Sequence, residues 1–403
     1  MNQAIPSIQP GHALDDTSIS EFIAIRRDIH QHPELGLEEY RTSKLVADLL
    51  EEWGYRVETG IAKTGVVGQL VNGPGKTLGI RADLDALPIH ERNDFDHTSQ
   101  NPGIMHACGH DGHTAMLLGA AKRIAERRMF SGTVNLIFQP AEECPPGGAN
   151  LMIQEGLFDR YPCDAIFGMH NMPGYPQGHL IFRDGALMAS CDNVAISLTG
   201  VGGHGALPNA ATDCIVAAAS IIMALQTIVS RNIDPRLGAV ITVGAIHAGE
   251  ANNVIPETAT LKLSVRALDP DVRATLRRRI ETLVEAQAKS YDVNAKIDYE
   301  AGYPVLVNTQ AETDFARQVG VELAGEDCVV HQGDALTGSE DFAFFLEKCP
   351  GSYLLIGNGD GPNSCMVHNP NFDFNDDNIA IGAAYWSLLT ERFLPCKEDG
   401  KQS

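Results

Sequence analysis

"NVAISLTG", residues 193–200, is where the character of the chain changes. Val194, Ile196 and Leu198 fall on alternate positions, which gives an extended segment one apolar face. An Ala/Ile-rich helix over about 211–230 follows, then "GAVITVGAI" (238–246) and "TATLKLSVRAL" (258–268). In the latter, Leu261, Leu263 and Val265 oppose Lys262, Ser264 and Arg266, so one face is predicted to be wet. "DPDVRATLRRRIETLVEAQAKSY" (269–291) predicts a helix with Asp269 as its cap and Pro270 in its first turn. "AKIDYE" (295–300) adds a last strand, giving the order β-α-β-β-α-β of a ferredoxin-like arrangement. Residues 192–303 thus predict a separate α+β domain, not a continuation of the sheet on either side.

The flanking segments read differently. "DDTSISEFIAIRRDIH" (15–30) and "TSKLVADLLEEWG" (42–54) carry apolar residues at helical spacing, the second closed by Gly54. "GVVGQLV" (65–71), "TLGIRA" (77–82), "TVNLIFQ" (133–139) and "DAIFGM" (164–169) are short apolar runs of the kind found in strands buried on both faces. The pattern resumes after 304, with "SEDFAFFLEK" (339–348) as a helix, "SYLLIGN" (352–358) as a strand and "NIAIGAAYWSLLTERF" (378–393) as a closing helix. The fold class is α/β: a largely parallel-sheet domain built from 1–191 and 304–403, interrupted by the ferredoxin-like insertion at 192–303.

Length and composition set outer bounds. At 403 residues two domains are the default. A formal charge of −22 argues against nucleic acid or an anionic membrane as partner, since both repel such a chain. "MNQAIPSIQPGHALDDTS" (1–18) has neither a basic start nor an apolar core, so no secretory signal is expected. "CIVAAASIIMALQTIV" (214–229) is interrupted by Ser220 and Gln226 and is expected as a buried helix, not a membrane span. Nine scattered cysteines do not form a disulfide framework and point to a reducing cytoplasm.

Chemistry gathers after the apolar runs. Asp83 follows one, Glu142 and Glu143 another, and His170 a third. Ligands of open α/β sheets bind beyond the carboxyl ends of strands, so these groups should share a crevice. Beside them stands "MHACGHDGHTA" (105–115), and thiolate, imidazole and carboxylate together suit borderline-soft divalent metals. Asp83, His106, Cys108, His110, His113, Glu142, Glu143 and His170 exceed what one tetrahedral ion needs, which favours two metals with a shared bridging group. A closed structural zinc site is the alternative, but such sites are richer in cysteine. Neighbouring Glu142 and Glu143 point apart on an extended or turning backbone. One can then bind metal while the other serves as general base beside a metal-activated water. A solvated acidic pair is the competing reading.

The chain resembles the aminoacylase/carboxypeptidase superfamily of di-metal peptidases. Within it, the similarity is to the amidohydrolase branch of hippurate hydrolases, N-acyl-amino-acid deacylases and plant auxin-conjugate hydrolases. The resemblance rests on "RRDIHQHPELGLEE" (26–39), "RADLDALPI" (81–89), "MHACGHDGHTAMLLGAA" (105–121), "QPAEE" (139–143) and "GMHN" (168–171). "GGHGALP" (202–208), "ANNVIP" (251–256), "SVRALD" (264–269), "GSEDFAFF" (338–345) and "CMVHNPNFDFND" (365–376) extend it over nearly the whole chain.

It implies Cys108, His110, Glu143, His170 and His368 as metal ligands, Glu142 as the general base, and Asp83 as an acid that orients a ligand. Arg81 stands where related peptidases carry a metal-binding histidine. The insertion corresponds to a lid or dimerisation domain. There His204 matches a histidine that stabilises the oxyanion in a neighbouring subunit, while Asn253 and Arg266 match substrate contacts. His106 and His113 are expected to orient their loop.

The implied function is a binuclear metal-dependent amidohydrolase that splits N-acyl amino acids, hippurate-like ones included, into a carboxylate and a free amino acid. Mn²⁺ or Zn²⁺ is the favoured ion, with Co²⁺ and Ni²⁺ also suited, and the assembly is a homodimer or higher homo-oligomer. An aminopeptidase or dipeptidase of the same superfamily, or a non-catalytic metal-binding protein with this fold, are the competing functions.

Overall fold

The apolar runs of the flanking segments become neighbours in one eight-stranded sheet. Its order is Arg56–Ile61, Gly65–Asn72, Gly132–Gln139, Thr77–Asp83, Ala165–Met172, Gly351–Gly357, Leu180–Ile181 and Val329–Val330. The four central strands, Gly132–Gln139 to Gly351–Gly357, run parallel, and the strands beside them, Gly65–Asn72 and Leu180–Ile181, pair with them antiparallel. The computed structural model describes Ala13, residues 15–361 and 364–396, so residues 1–12 and 14 of the N-terminal stretch read above lie outside the described residues. Parallel pairing gives the central strands a common polarity. Asp83 lies opposite Gln139, and His170 opposite Leu355, at one end of the sheet.

Helices cover this sheet. Asp16–Gln31 is capped by Asp15, whose carboxylate accepts the Ser18 N–H at 2.9 Å. His110–Arg127 packs against Asp377–Phe393 and brings Leu117, Tyr385 and Trp386 into a shared core. The predicted helix over 339–348 shortens to Phe342–Leu346. Asp341 does not cap a longer helix. Its carboxylate is buried and receives Arg81 Nη2 at 3.1 Å, Gln139 Nε2 at 2.8 Å and the Ala149 N–H at 2.9 Å. Pro350 then discourages helix at the other end.

The chain divides into two compact units. One comprises residues up to Gly185, Val307–Asp334 and Asp341 onward; the other comprises Ala186–Leu306 with Ala335–Glu340. The second unit has its own antiparallel sheet, ordered Ala239–Ala248, Thr258–Ala267, Ser190–Thr199 and Asn294–Ala301. With helices Cys214–Asn232 and Pro270–Ser290 this is the β-α-β-β-α-β pattern with the strand order of a ferredoxin-like fold. Val194, Ile196, Leu198, Leu261, Leu263 and Val265 are all buried in its core, as their alternation predicts.

The 214–229 run is more amphipathic than expected. Ala217, Ala218, Ile221, Leu225 and Ile228 are buried, whereas Ile215, Val216 and Met223 remain exposed, Met223 to 71%. The physical reason is geometric: a helix on one face of a single sheet can bury only one stripe.

Candidate metal centre

The site is assembled where three central strands end and one helix begins. Cys108 lies in the loop before the helix His110–Arg127, and His110 is that helix's first residue. Gly109 between them adopts φ 95°, and a Cβ there would lie 2.2 Å from Asn171 Oδ1. Only glycine makes this turn so close to a neighbouring side chain. The turn sends both side chains toward His170, with Cys108 Sγ 3.3 Å from His170 Nε2. Glu143 Oε1 stands 3.0 Å from Nε2 of His368, a residue in the left-handed region at φ 66° whose N–H is bound by the Ala107 carbonyl.

Potential ligand atoms of Cys108, His110 and His170 lie within 4.8 Å of one another, as do those of Cys108, Glu143 and His368, and of His110, Glu142 and Glu143. Segments more than 250 residues apart in sequence thus contribute to one cluster.

Asp83 faces the same cluster from its strand end. Its Oδ1 accepts from His113 Nδ1 at 2.7 Å, its Oδ2 accepts from Arg81 Nη1 at 2.7 Å, and His110 Nε2 lies 3.8 Å from Oδ2. Arg81 is itself buried between Asp83 and Asp341. Burial works against ionisation of Asp83, but His110, Arg81 and His113 hold its carboxyl well below the usual range. His113 bridges Asp83 to Asn171, whereas both ring nitrogens of buried His106 are without a hydrogen-bond partner among the described residues.

Asp85, absent from the expected set, proves central. Its Oδ1 accepts the Glu142 N–H at 3.0 Å and stands 3.2 Å from His110 Nδ1; its Oδ2 accepts the Glu143 N–H at 3.0 Å. One buried carboxylate therefore fixes the backbone of the two glutamates, and the same residue's main-chain carbonyl, 2.9 Å from His110 Nδ1, joins it in holding the ring of the histidine. Its only sequence signal is the two-residue spacing from Asp83 in "RADLDALPI". Ala141, just before the pair, is held at φ 50°, a left-handed conformation that costs an alanine about 1 kcal/mol.

The donors fit divalent metal. Burial, then the charges of Glu143, Glu142 and Asp83, push the Cys108 thiol well above its usual range. Burial, then His113, pushes His170 well down, so it stays neutral, the ligand form of imidazole. Burial opposes a charge on His110, but Asp83 and Asp85 push it up to about 10, and its buried Nε2 has no hydrogen-bond partner among the described residues. An unpartnered buried imidazole nitrogen beside the carboxylates of Glu142 and Glu143 is a donor set that suits a cation.

Residues 79–392 match the family model for peptidase family M20/M25/M40. The chain belongs to this family. It is 45% identical to a hippurate hydrolase of Campylobacter jejuni over 93% of this chain and 97% of that one. Its identity to an N-acetyl-L-cysteine deacetylase of Bacillus subtilis is 37%, over 95% and 90% of the two chains. Among solved structures, the Bacillus subtilis YXEP protein, described as a dinuclear metal binding peptidase from the M20 family, superposes with a TM-score of 0.83. That likeness is at 32% identity and covers 94% of this chain and 99% of that one.

The remaining expected residues of this M20-family chain lie on the second unit. His204 is exposed on the two-residue strand Gly203–His204, paired with Val254–Ile255. The Gly205 N–H bonds the Asn253 carbonyl at 2.8 Å, so His204 and Asn253 share one short ribbon. Arg266 is part-buried, and its Nη1 donates to the Thr337 carbonyl at 2.9 Å.

Proposed function

We propose that this chain is a metal-dependent amidohydrolase that cleaves N-acyl amino acids to a carboxylate and a free amino acid, with hippurate-like compounds as the substrate class. The observation that carries this reading is the cluster of thiol, imidazoles and paired glutamates, buried at Cys108, His110, Glu142 and His170 and open at His368, in a chain 45% identical to a hippurate hydrolase.

Cys108, His110, Glu143, His170 and His368 would hold two divalent ions, with Mn²⁺ or Zn²⁺ favoured and Co²⁺ or Ni²⁺ compatible with the mixed donors. Held by these residues, such ions would supply Lewis-acid polarisation of the amide carbonyl and a more acidic water. Glu142 takes the water's proton and hands it to the leaving nitrogen, and the Asp85 hold on its backbone keeps it aimed. Asp83 stays ionised and is assigned to orient a metal ligand, with His110 Nε2 3.8 Å from its Oδ2, while it also holds His113. We assign His204 to the oxyanion and Asn253 and Arg266 to the substrate, roles that rest on the family resemblance.

In this reading residues 1–191 and 304–403 carry catalysis, and 192–303 form a lid and dimerisation domain. A homodimer is supported by the exposed Ile215, Val216 and Met223 of helix Cys214–Asn232, and by the open edge strand Ala239–Ala248 with exposed Val240 and Ile246. The nine cysteines are unpaired thiols, which suits a reducing cytoplasm.

The test is a panel of hippurate, acetylated amino acids and dipeptides, assayed after metal stripping and re-addition of each ion. Glu142→Gln is expected to keep its metal and lose about 10²- to 10⁴-fold in turnover. Near-normal turnover would remove Glu142 as base. A peptidase is the second reading, favoured by the description of the YXEP protein, and dipeptides cleaved faster than every acylated amino acid would establish it.

A further inference from the structure

"PELGLEE", residues 33–39, belongs to a stretch that the reaction does not use, yet it packs directly on the turn that carries Glu142. Glu39 is fully buried, with no exposed surface. Its Oε1 accepts the Ala141 N–H at 2.8 Å, and its Oε2 accepts the hydroxyl of buried Thr64 at 2.5 Å. The next two N–H groups, of Glu142 and Glu143, go to Asp85. Three successive backbone donors are thus held by two buried carboxylates. Ala141 sits among them in the left-handed region, and its carbonyl accepts the Gly148 N–H at 3.0 Å.

The 33–39 loop is seated on both sides of this arrangement. A Cβ on Gly36 would lie 2.8 Å from Cys144 Sγ and 3.1 Å from Ala141 Cα, so the loop reaches the turn only because that residue is glycine. The Glu34 carbonyl accepts the Ala86 N–H at 2.8 Å, beside Asp85. An acidic side chain with no exposure is a costly way to fill space, and an aliphatic one would fill it more cheaply. What the acid adds is an acceptor for the Ala141 N–H.

We infer that Glu39 is a positioning residue for the catalytic turn: it holds the Ala141 amide, keeps that residue left-handed, and so sets the direction in which Glu142 projects. It touches neither substrate nor metal. The inference rests on the reading of Glu142 as base.

The test compares wild type, Glu39→Gln and Glu39→Leu. Glutamine keeps an oxygen for Ala141 and can donate its amide to Thr64, whose hydroxyl turns to accept. Leucine keeps the bulk and removes the acceptor. Glu39→Gln is expected to hold turnover within about threefold. In Glu39→Leu, a stranded buried N–H translates into about a 10- to 100-fold loss of kcat, with KM and bound metal little changed. Hydrogen exchange read by mass spectrometry over residues 141–147 should accelerate by a similar factor in Glu39→Leu only. Adding Ala141→Gly should recover part of the lost kcat, because glycine adopts the left-handed conformation unaided.

Wild-type kcat and exchange in Glu39→Leu would overturn the inference. So would a loss that tracks metal content and disappears in excess metal. If Glu39→Leu does not fold, Glu39→Asp, which retracts the acceptor by one methylene, takes its place under the same criteria. Normal turnover in Glu142→Gln would instead defeat the base assignment, and the exchange measurement would still decide whether Glu39 holds the turn.

Discussion

Replacing Asp85 with asparagine should weaken metal binding without changing any ligand. Both carboxylate oxygens are engaged: Oδ1 by the Glu142 N–H at 3.0 Å, with His110 Nδ1 at 3.2 Å, and Oδ2 by the Glu143 N–H at 3.0 Å. Asparagine has one oxygen. Whichever way its amide turns, the NH₂ group meets a buried backbone N–H, donor against donor. A bond to a charged acceptor contributes about 1.5–3 kcal/mol, and its loss loosens either Glu143 or Glu142, the latter together with the Oδ1 contact to His110, whose ring keeps the Asp85 main-chain carbonyl at 2.9 Å. The same range follows from removing a partner that orients metal ligands, about 10- to 100-fold in metal affinity. Titration of stripped protein with Zn²⁺ or Mn²⁺ against a chelating indicator measures the affinity, and hippurate turnover at saturating metal measures what remains. An Asp85→Asn protein with wild-type metal affinity and turnover within twofold would refute the role given to Asp85.

Two further outcomes follow from the same geometry. Gly109→Ala forces a side chain into a φ of 95° and against Asn171 Oδ1, so thermal unfolding should move to lower temperature and metal affinity should fall together; an unchanged melting curve would contradict this. Burial, then the opposing hydrogen bond from Thr64 and the charge of Asp85, leaves the Glu39 carboxyl raised from 4.5 to about 7. Between those values the folded protein holds a proton the unfolded chain has released, so stability should fall as pH rises from about 4.5 to 7, and Glu39→Gln, compared by chemical denaturation across that window, should lack that part of the slope.

Much of the fold was legible because burial leaves a period in the sequence. Of the apolar-rich runs of six or seven residues, three became central parallel strands and "GVVGQLV" an antiparallel neighbour, and the alternation at 193–200 and 258–268 became an independent antiparallel sheet with a buried and a wet face. The helix expected over 339–348 was less legible. Its first turn is given up to the hydrogen bonds of Asp341, a tertiary demand that no local pattern carries. The exposed side of Cys214–Asn232 was hidden for a related reason. Composition registers how apolar a helix is but not how much of it one small sheet can cover.

The site divides along the same line. Parallel strands share a polarity, so acids and histidines that follow them must meet, and Asp83, Glu142, Glu143 and His170 do lie around one cluster with Cys108 and His110. His368 lies on a loop far along the chain, and only the family resemblance singled it out. Asp85 and Glu39 were invisible for a chemical reason. A carboxylate that holds a cation and one that holds a backbone N–H are the same residue in a sequence, and only the direction of the neighbouring amides separates them. In this chain those amides belong to Ala141, Glu142 and Glu143, so the acids that never touch a metal set the geometry of those that would. Substitutions at Asp85 and Glu39 should therefore disturb the centre while every ligand remains in place, a combination that a site defined by its ligands alone does not predict.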